Sequence, residues 1–218
     1  FFGENIARDD QYINLRGGMY DTFKYRLYSD SLRRNQVYGA ITPYAGMGSG
    51  NITASGFPLL NTATWNSLDV GYDRRDDGGF FEFQAASPWY FRIDGNQVKQ
   101  SGSKIGAASQ GMSPGNGYID MAFPTEYSTR NATVEGGYNS KKLHVALSWM
   151  TSKFETDNET INWTNGFWNS GTDTTYLAAD NKYSRLLVNA TLRDLPLAST
   201  LAVRYTQDEL ESNFGVGQ

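Results

Sequence analysis

Cysteine is absent from all 218 residues, so the chain can form no disulfide, no thiolate metal site and no covalent haem attachment of its own. Histidine occurs once, at His144, which excludes any catalytic or metal centre that needs two. Charge is sparse at 19% of residues, against roughly 25% in an average soluble domain. There is no basic excess either: 19 Lys and Arg face 23 Asp and Glu, for a net charge of −4, which argues against a nucleic-acid partner. No stretch approaches the roughly 20 consecutive apolar residues of a membrane-spanning helix. The most apolar segment, Leu143 to Met150, is broken by His144 and Ser148. With a mean hydropathy of −0.54, a helical membrane protein is excluded. A β-barrel is not, because its strands hide their apolar residues in alternation. The chain opens Phe1-Phe2-Gly3 without an initiator Met or a secretory leader, as expected if processing or truncation has removed the start.

What the chain does have is aromatic residues, 14% of the total, and a recurring period of two. Alternation at that period marks strands with two different faces. Leu143, Val145, Leu147 and Trp149 alternate with His144, Ala146, Ser148 and Met150. Leu186, Val188, Ala190 and Leu192 alternate with Arg185, Leu187, Asn189 and Thr191; Leu201, Val203 and Tyr205 with Ala202, Arg204 and Thr206. The same reading sets Trp89, Phe91 and Ile93 against Tyr90, Arg92 and Asp94, and Tyr25 and Leu27 against Lys24, Arg26 and Tyr28. Ile13 and Leu15 oppose Asn14 and Arg16. Leu68, Val70 and Tyr72 form one short apolar face; Phe81, Phe83 and Ala85 form another. The pattern predicts about ten strands and no helix of consequence: an all-β chain.

Tight turns are expected at Asp21-Thr22-Phe23, Asn139-Ser140-Lys141 and Arg193-Asp194-Leu195-Pro196. Asp73, Asp76 and Asp77, neutralised by Arg74 and Arg75, read as a solvated hairpin turn rather than a cation site. Long loops are expected near 45–63, 100–130 and 155–182, within a single β segment covering 1–218. The segment 45–63 is out of place, because strand parity puts it where a short turn belongs. It signals either a miscounted strand or a functional excursion.

Alternation alone also suits a soluble β-sandwich. Two features favour a transmembrane barrel. The apolar faces carry no charge, whereas Arg16, Arg26, Arg92, Arg185 and Arg204 all fall on the polar ones. An arginine facing lipid at mid-bilayer costs roughly 2–4 kcal/mol, so lipid demands such segregation. Trp65, Tyr72, Trp89, Trp149, Tyr183 and Tyr205 stand near strand ends, where amphipathic rings suit the headgroup level.

Longer strings add a resemblance. Val70-Gly71-Tyr72-Asp73-Arg74-Arg75-Asp76-Asp77-Gly78-Gly79-Phe80-Phe81-Glu82-Phe83-Gln84-Ala85, followed by Ser87-Pro88-Trp89-Tyr90, resembles the decahaem-associated outer-membrane β-barrels of the MtrB/PioB family. Asn116-Gly117-Tyr118, Ala122-Phe123-Pro124-Thr125-Glu126-Tyr127, the segment Asn158 to Gly166 and Arg193-Asp194-Leu195-Pro196-Leu197 carry it further, to Ala202-Val203-Arg204-Tyr205-Thr206. The resemblance implies an antiparallel transmembrane β-barrel of which this chain is an incomplete portion. The family's N-terminal Cys-x-x-Cys is missing, and Val216-Gly217-Gln218 lacks a terminal barrel aromatic.

The resemblance further implies a bacterial outer-membrane location and a sheath that aligns multihaem c-type cytochromes for electron transfer across that membrane. A periplasmic multihaem cytochrome would occupy the lumen, and an extracellular one would dock at the outer mouth. Lipid would surround the wall. Haem would be carried by those partners, with no cofactor, metal or catalytic residue in this chain and no enzymatic role.

Four residues are candidate lumen-facing partner contacts: Arg26, Arg92, His144 and Arg204. The arginines suit haem propionates or an acidic partner surface, and they suit equally ion pairs with Glu82 or Asp94 inside the wall. His144 reads as an ordinary lumenal polar residue. Glu82 and Asp94 read as lumenal hydrogen-bonding groups rather than an acid/base pair. Two rival functions remain: a complete small outer-membrane barrel hydrolase, and a soluble carbohydrate-binding β-sandwich.

Overall fold

The structure is a computed structural model that describes residues 1–54, 61–84, 87–109, 118–165 and 171–213. Ala85, Ala86, Gly117, Phe167, Trp168 and the tail 216–218 lie outside the described residues. Thirteen strands follow in order: β1 (Phe2–Glu4), β2 (Tyr12–Met19), β3 (Phe23–Thr42), β4 (Asn51–Ile52), β5 (Asn66–Phe83), β6 (Trp89–Ser109), β7 (Tyr118–Pro124), β8 (Tyr127–Asn139), β9 (Leu143–Thr156), β10 (Thr160–Asn165), β11 (Gly171–Tyr176), β12 (Asn181–Leu195) and β13 (Ser199–Ser212). Ten belong to one sheet, ordered β1-β2-β3-β5-β6-β8-β9-β12-β13 with β7 paired to β6. Every pairing in it is antiparallel. The sheet is open: its path ends at β1 and β13 without the two pairing.

The wall carries its apolar side chains on the uncovered side. Leu27 is 56% exposed, Ile93 45%, Leu147 52% and Val203 57%, and no second layer packs on them among the described residues. A sandwich would bury these groups. The apolar band also slides along the strands. It runs from Ile13 to Met19 on β2, from Leu143 to Trp149 on β9, and from Leu201 to Tyr205 on β13, although cross-strand register joins Met19 to the level of Tyr205. A level band on strands that lean against the membrane normal must drift this way.

Turns and long connections segregate to opposite ends. At one end, three residues join β2 to β3, β8 to β9 and β12 to β13. Asp21 (φ 53°) supplies left-handed backbone in the first of them, a conformation Asp tolerates through its short polar side chain, and Leu197 (φ 64°) and Ala198 (φ 52°) supply it in the last. At the other end β3, β5 and β6 run for 20, 18 and 21 residues, about twice the 9–11 that cross a bilayer.

Several expectations change here. Asp73 to Asp77 is no turn: it lies inside β5, paired on one side with β3 and on the other with β6. Two expected strands are therefore one. The even-numbered set Leu68, Val70 and Tyr72 shares its face with Glu82, opposite to Phe81 and Phe83. Removing that turn also restores parity, and 45–63 falls at the end with the long connections. The segment 100–130, expected as loop, is mostly strand, because β6 extends to Ser109, β7 folds back on it and β8 starts at Tyr127. The segment 155–182 contains β10 and β11.

These long connections fold on one another. β4 pairs parallel to β10, and β10 antiparallel to β11, in a separate three-stranded sheet. Tyr44, Ile52, Ala108, Met121, Ile161 and Trp163 form its core, none more than 2% exposed. The Gly48 amide donates to the Ala122 carbonyl (2.7 Å) and the Asn162 amide to the Gly50 carbonyl (2.9 Å), tying the β3–β5, β6–β8 and β9–β12 connections into one cap.

Burial pushes the Tyr44 phenol above its ordinary pKa of 10.0, because ionisation would place charge in this apolar core. The folded cap thus holds a proton that the unfolded one releases above that pH. Tyr44 stabilises the cap below the unfolded value and loses that contribution as pH rises further. The protection factors of amides in β4 and β10, taken relative to the base-catalysed exchange of an unfolded chain at the same pH, should fall above about pH 10, and Tyr44→Phe should flatten that fall. An unchanged profile in the variant would remove Tyr44 from the account.

Candidate functional site: the polar face of the wall

Cross-strand register places the polar residues of eight strands on one face. Lys24, Glu82, Arg92 and Glu135 stand directly opposite one another across β3, β5, β6 and β8, with alternating sign. Opposite charges at such positions attract and like charges repel, so the order is favourable. Lys24 lies 3.3 Å from Glu82, and Arg92 3.7 Å from Asp94 with its guanidinium over the Phe80 ring. Each pair is half-open to solvent, so its stabilisation is modest.

A second ladder runs about four residues further along the strands. Asn131 donates to the Asn96 side-chain carbonyl (2.9 Å), and Asn96 to Asp76 (2.9 Å), which also accepts from the Tyr28 hydroxyl (3.3 Å). Tyr183 and Arg185 both donate to Asp208, at 2.8 and 2.6 Å. These links went unread in the sequence. The available signal was Asn96 and Asn131 on neighbouring polar faces, but it needed the register to count. Tyr72 and Tyr183, expected at the membrane interface, stand on the polar face instead; Lys104 caps the Tyr72 ring at 4.6 Å.

The four candidate residues share this face and do not converge. Arg26 is on β3, Arg92 on β6, His144 on β9 and Arg204 on β13. From β3 to β13 is six strand steps, roughly 29 Å at 4.8 Å each. Arg26 donates to the Tyr12 hydroxyl (3.3 Å) and covers the Tyr28 ring. Directly opposite it stands Arg16, and neither arginine has an ion-pair partner among the described residues. Arg204 faces Asn189 across the β12–β13 pair. His144 stacks on Tyr90, 6.4 Å between ring centres and 6° from parallel. Tyr90 lies over Gly137, where a Cβ would come within 2.5 Å of the ring, and donates to Glu135 at 2.9 Å. His144 thus leans on a ring fixed by the wall. Among the described residues no group of three His, Asp or Glu side chains is placed to hold a metal ion.

A tilted antiparallel wall with apolar side chains outward and a charged, hydrogen-bonded inner face is the wall of an outer-membrane β-barrel. Comparison with known proteins narrows this class. The outer membrane beta-barrel porin family MtrB/PioB matches residues 1–209, and the chain belongs to that family. The Outer membrane protein MtrB of Shewanella baltica (strain OS185) is 29% identical over 174 residues, which cover 74% of this chain and 24% of that protein. The chain thus spans about a quarter of the length of this curated relative. An open wall of this kind fits an incomplete portion of a larger barrel, located in the outer membrane.

Proposed function

We propose that this wall forms part of a sheath that holds and aligns multihaem c-type cytochromes for electron transfer across the outer membrane. The chain is a non-enzymatic component, and the haem belongs to the partners: a periplasmic cytochrome inside the barrel and an extracellular one at its outer mouth. The observation that carries the reading is the inner face. It is polar across eight strands, and its charges are spread over the whole arc rather than gathered at one centre. Such a surface suits a folded guest that touches it at many places. Membership of the MtrB/PioB family supports the same reading.

Within that face Arg16 and Arg26 form a directly opposed like-charged pair, which favours an external carboxylate. Arg92, Arg204 and His144 extend the contact surface along the arc. Their role is tested by charge reversal in the full-length protein. Arg26→Glu, Arg92→Glu and Arg204→Glu together should reduce the haem absorbance that co-purifies with the barrel several-fold. Heat-modifiable migration should still report a folded wall. Undiminished haem recovery from a folded triple variant would overturn the contact assignment. Recovery of the wild-type barrel free of cytochrome, with open solute flux, would overturn the sheath itself.

A further inference from the structure

The outward face carries a second charged feature, just beyond the apolar band on the side of the cap. Arg130 on β8, Lys153 on β9 and Lys182 on β12 stand directly opposite one another on three adjacent strands. Each lies four positions beyond the last large apolar side chain on the outward face of its strand: Val134, Trp149 and Leu186. Four residues are about 13 Å along a strand, and tilt reduces this to roughly 9 Å of depth. The intervening outward positions are Ala132, Thr151 and Ser184, a small and weakly polar belt. The three cations therefore stand at headgroup level, where bilayer thickness grows from the ~30 Å hydrocarbon core to ~40–45 Å overall.

We infer that this ladder binds the phosphate groups of the glycolipid in the outer leaflet. Like charges directly opposite in a sheet repel, and three in a row have a cost that the wall itself only partly meets. Glu155 is shared, 2.6 Å from Lys153 and 3.3 Å from Arg130. Lys182 reaches Glu211 only at 4.0 Å. All three cations keep half or more of their side-chain surface open. Lys99 on β6, on the same face, is exposed and has no ion pair among the described residues. The ladder spans about 10 Å over two strand steps, enough for two phosphate oxygen clusters. Charge-assisted hydrogen bonds from guanidinium and ammonium groups are the strong form of phosphate contact. The leaflet follows from the architecture: outer-membrane barrels place short turns in the periplasm and long connections outside, and this row lies on the long-connection side.

The test uses the full-length protein extracted from an outer membrane in mild detergent. Native mass spectrometry counts the phosphorylated glycolipid that stays bound. Arg130→Gln, Lys153→Gln and Lys182→Gln together should lower that count several-fold, and the reverse-conservative set Arg130→Lys, Lys153→Arg and Lys182→Arg should restore it. Lys141→Gln with Lys142→Gln, at the opposite end of the wall, should leave it unchanged. Re-addition of glycolipid stripped of its phosphates should bind parent and neutralised variant alike. Heat-modifiable migration separates a folded variant from a collapsed one. Equal retention of phosphorylated glycolipid by the folded neutralised variant would overturn the inference. So would parent-level preference for the phosphate-free lipid, or equal loss in the Lys141/Lys142 variant.

Discussion

Replacing Leu147 with arginine is expected to destabilise the folded barrel by about 2–4 kcal/mol in a bilayer, the cost of a cation near the middle of the hydrocarbon. Leu147 is 52% exposed, so in a soluble protein the same change would be close to neutral. Its neighbours in the outward band include Val134, Trp149 and Val188, and none of these offers a carboxylate to receive the charge. The matched control is Thr133→Arg. Thr133 is on the polar face, directly opposite Asp94, so a guanidinium there gains a carboxylate partner. That substitution should stay within about 0.5 kcal/mol of the parent, as for an ordinary surface position. Urea unfolding of the full-length protein in lipid vesicles measures both. Equal costs at the two positions would show that the two faces do not meet different media, and the membrane assignment of this wall would fall.

The second large effect belongs to the cap. Trp163 is 2% exposed in a core shared with Tyr44, Ile52, Met121 and Ile161. Truncation to alanine should cost about 3–5 kcal/mol, because the surrounding residues come from three separate connections and cannot all close on the void. The loss should be local. The wall is held by its own cross-strand ladders, and the cap sheet is distinct from it. Hydrogen exchange should therefore show β4, β10 and β11 losing protection while β8, β9 and β12 keep theirs. Loss of protection throughout the wall would mean that cap and wall unfold as one unit.

Much of the wall was legible because lipid enforces a simple rule. Along β2, β6, β9, β12 and β13 the apolar and polar faces read from the sequence are those of the structure, and Arg16, Arg26, Arg92, Arg185 and Arg204 all fall on the polar side. The rule lapses where strands leave the bilayer. In β5 the segment beyond Gly78 meets no hydrocarbon, so Asp73 to Asp77 carries charge on both faces and imitates a turn. That one misreading split a strand, reversed the face of Val70 and Tyr72, and made the 45–63 connection look misplaced. The cap was illegible for a different reason: its core comes from Tyr44, Ile52, Met121 and Trp163, which lie on three separate connections and are meaningful only once those connections meet. The inner-face ladders share that character, since Asn96–Asn131 and Lys24–Glu82 are pairs of register rather than of spacing.

The parallel pairing of β4 with β10 changes how the rim can vary. Connections outside a barrel are ordinarily free to lengthen or shorten one at a time. Here each of the three is riveted to the other two, by the Gly48–Ala122 and Asn162–Gly50 links and by a common core. A graft that exchanged one of them for a foreign loop would strip the remaining two of their footing, whereas an epitope inserted at Ser140 to Lys142, on the opposite end, would disturb none.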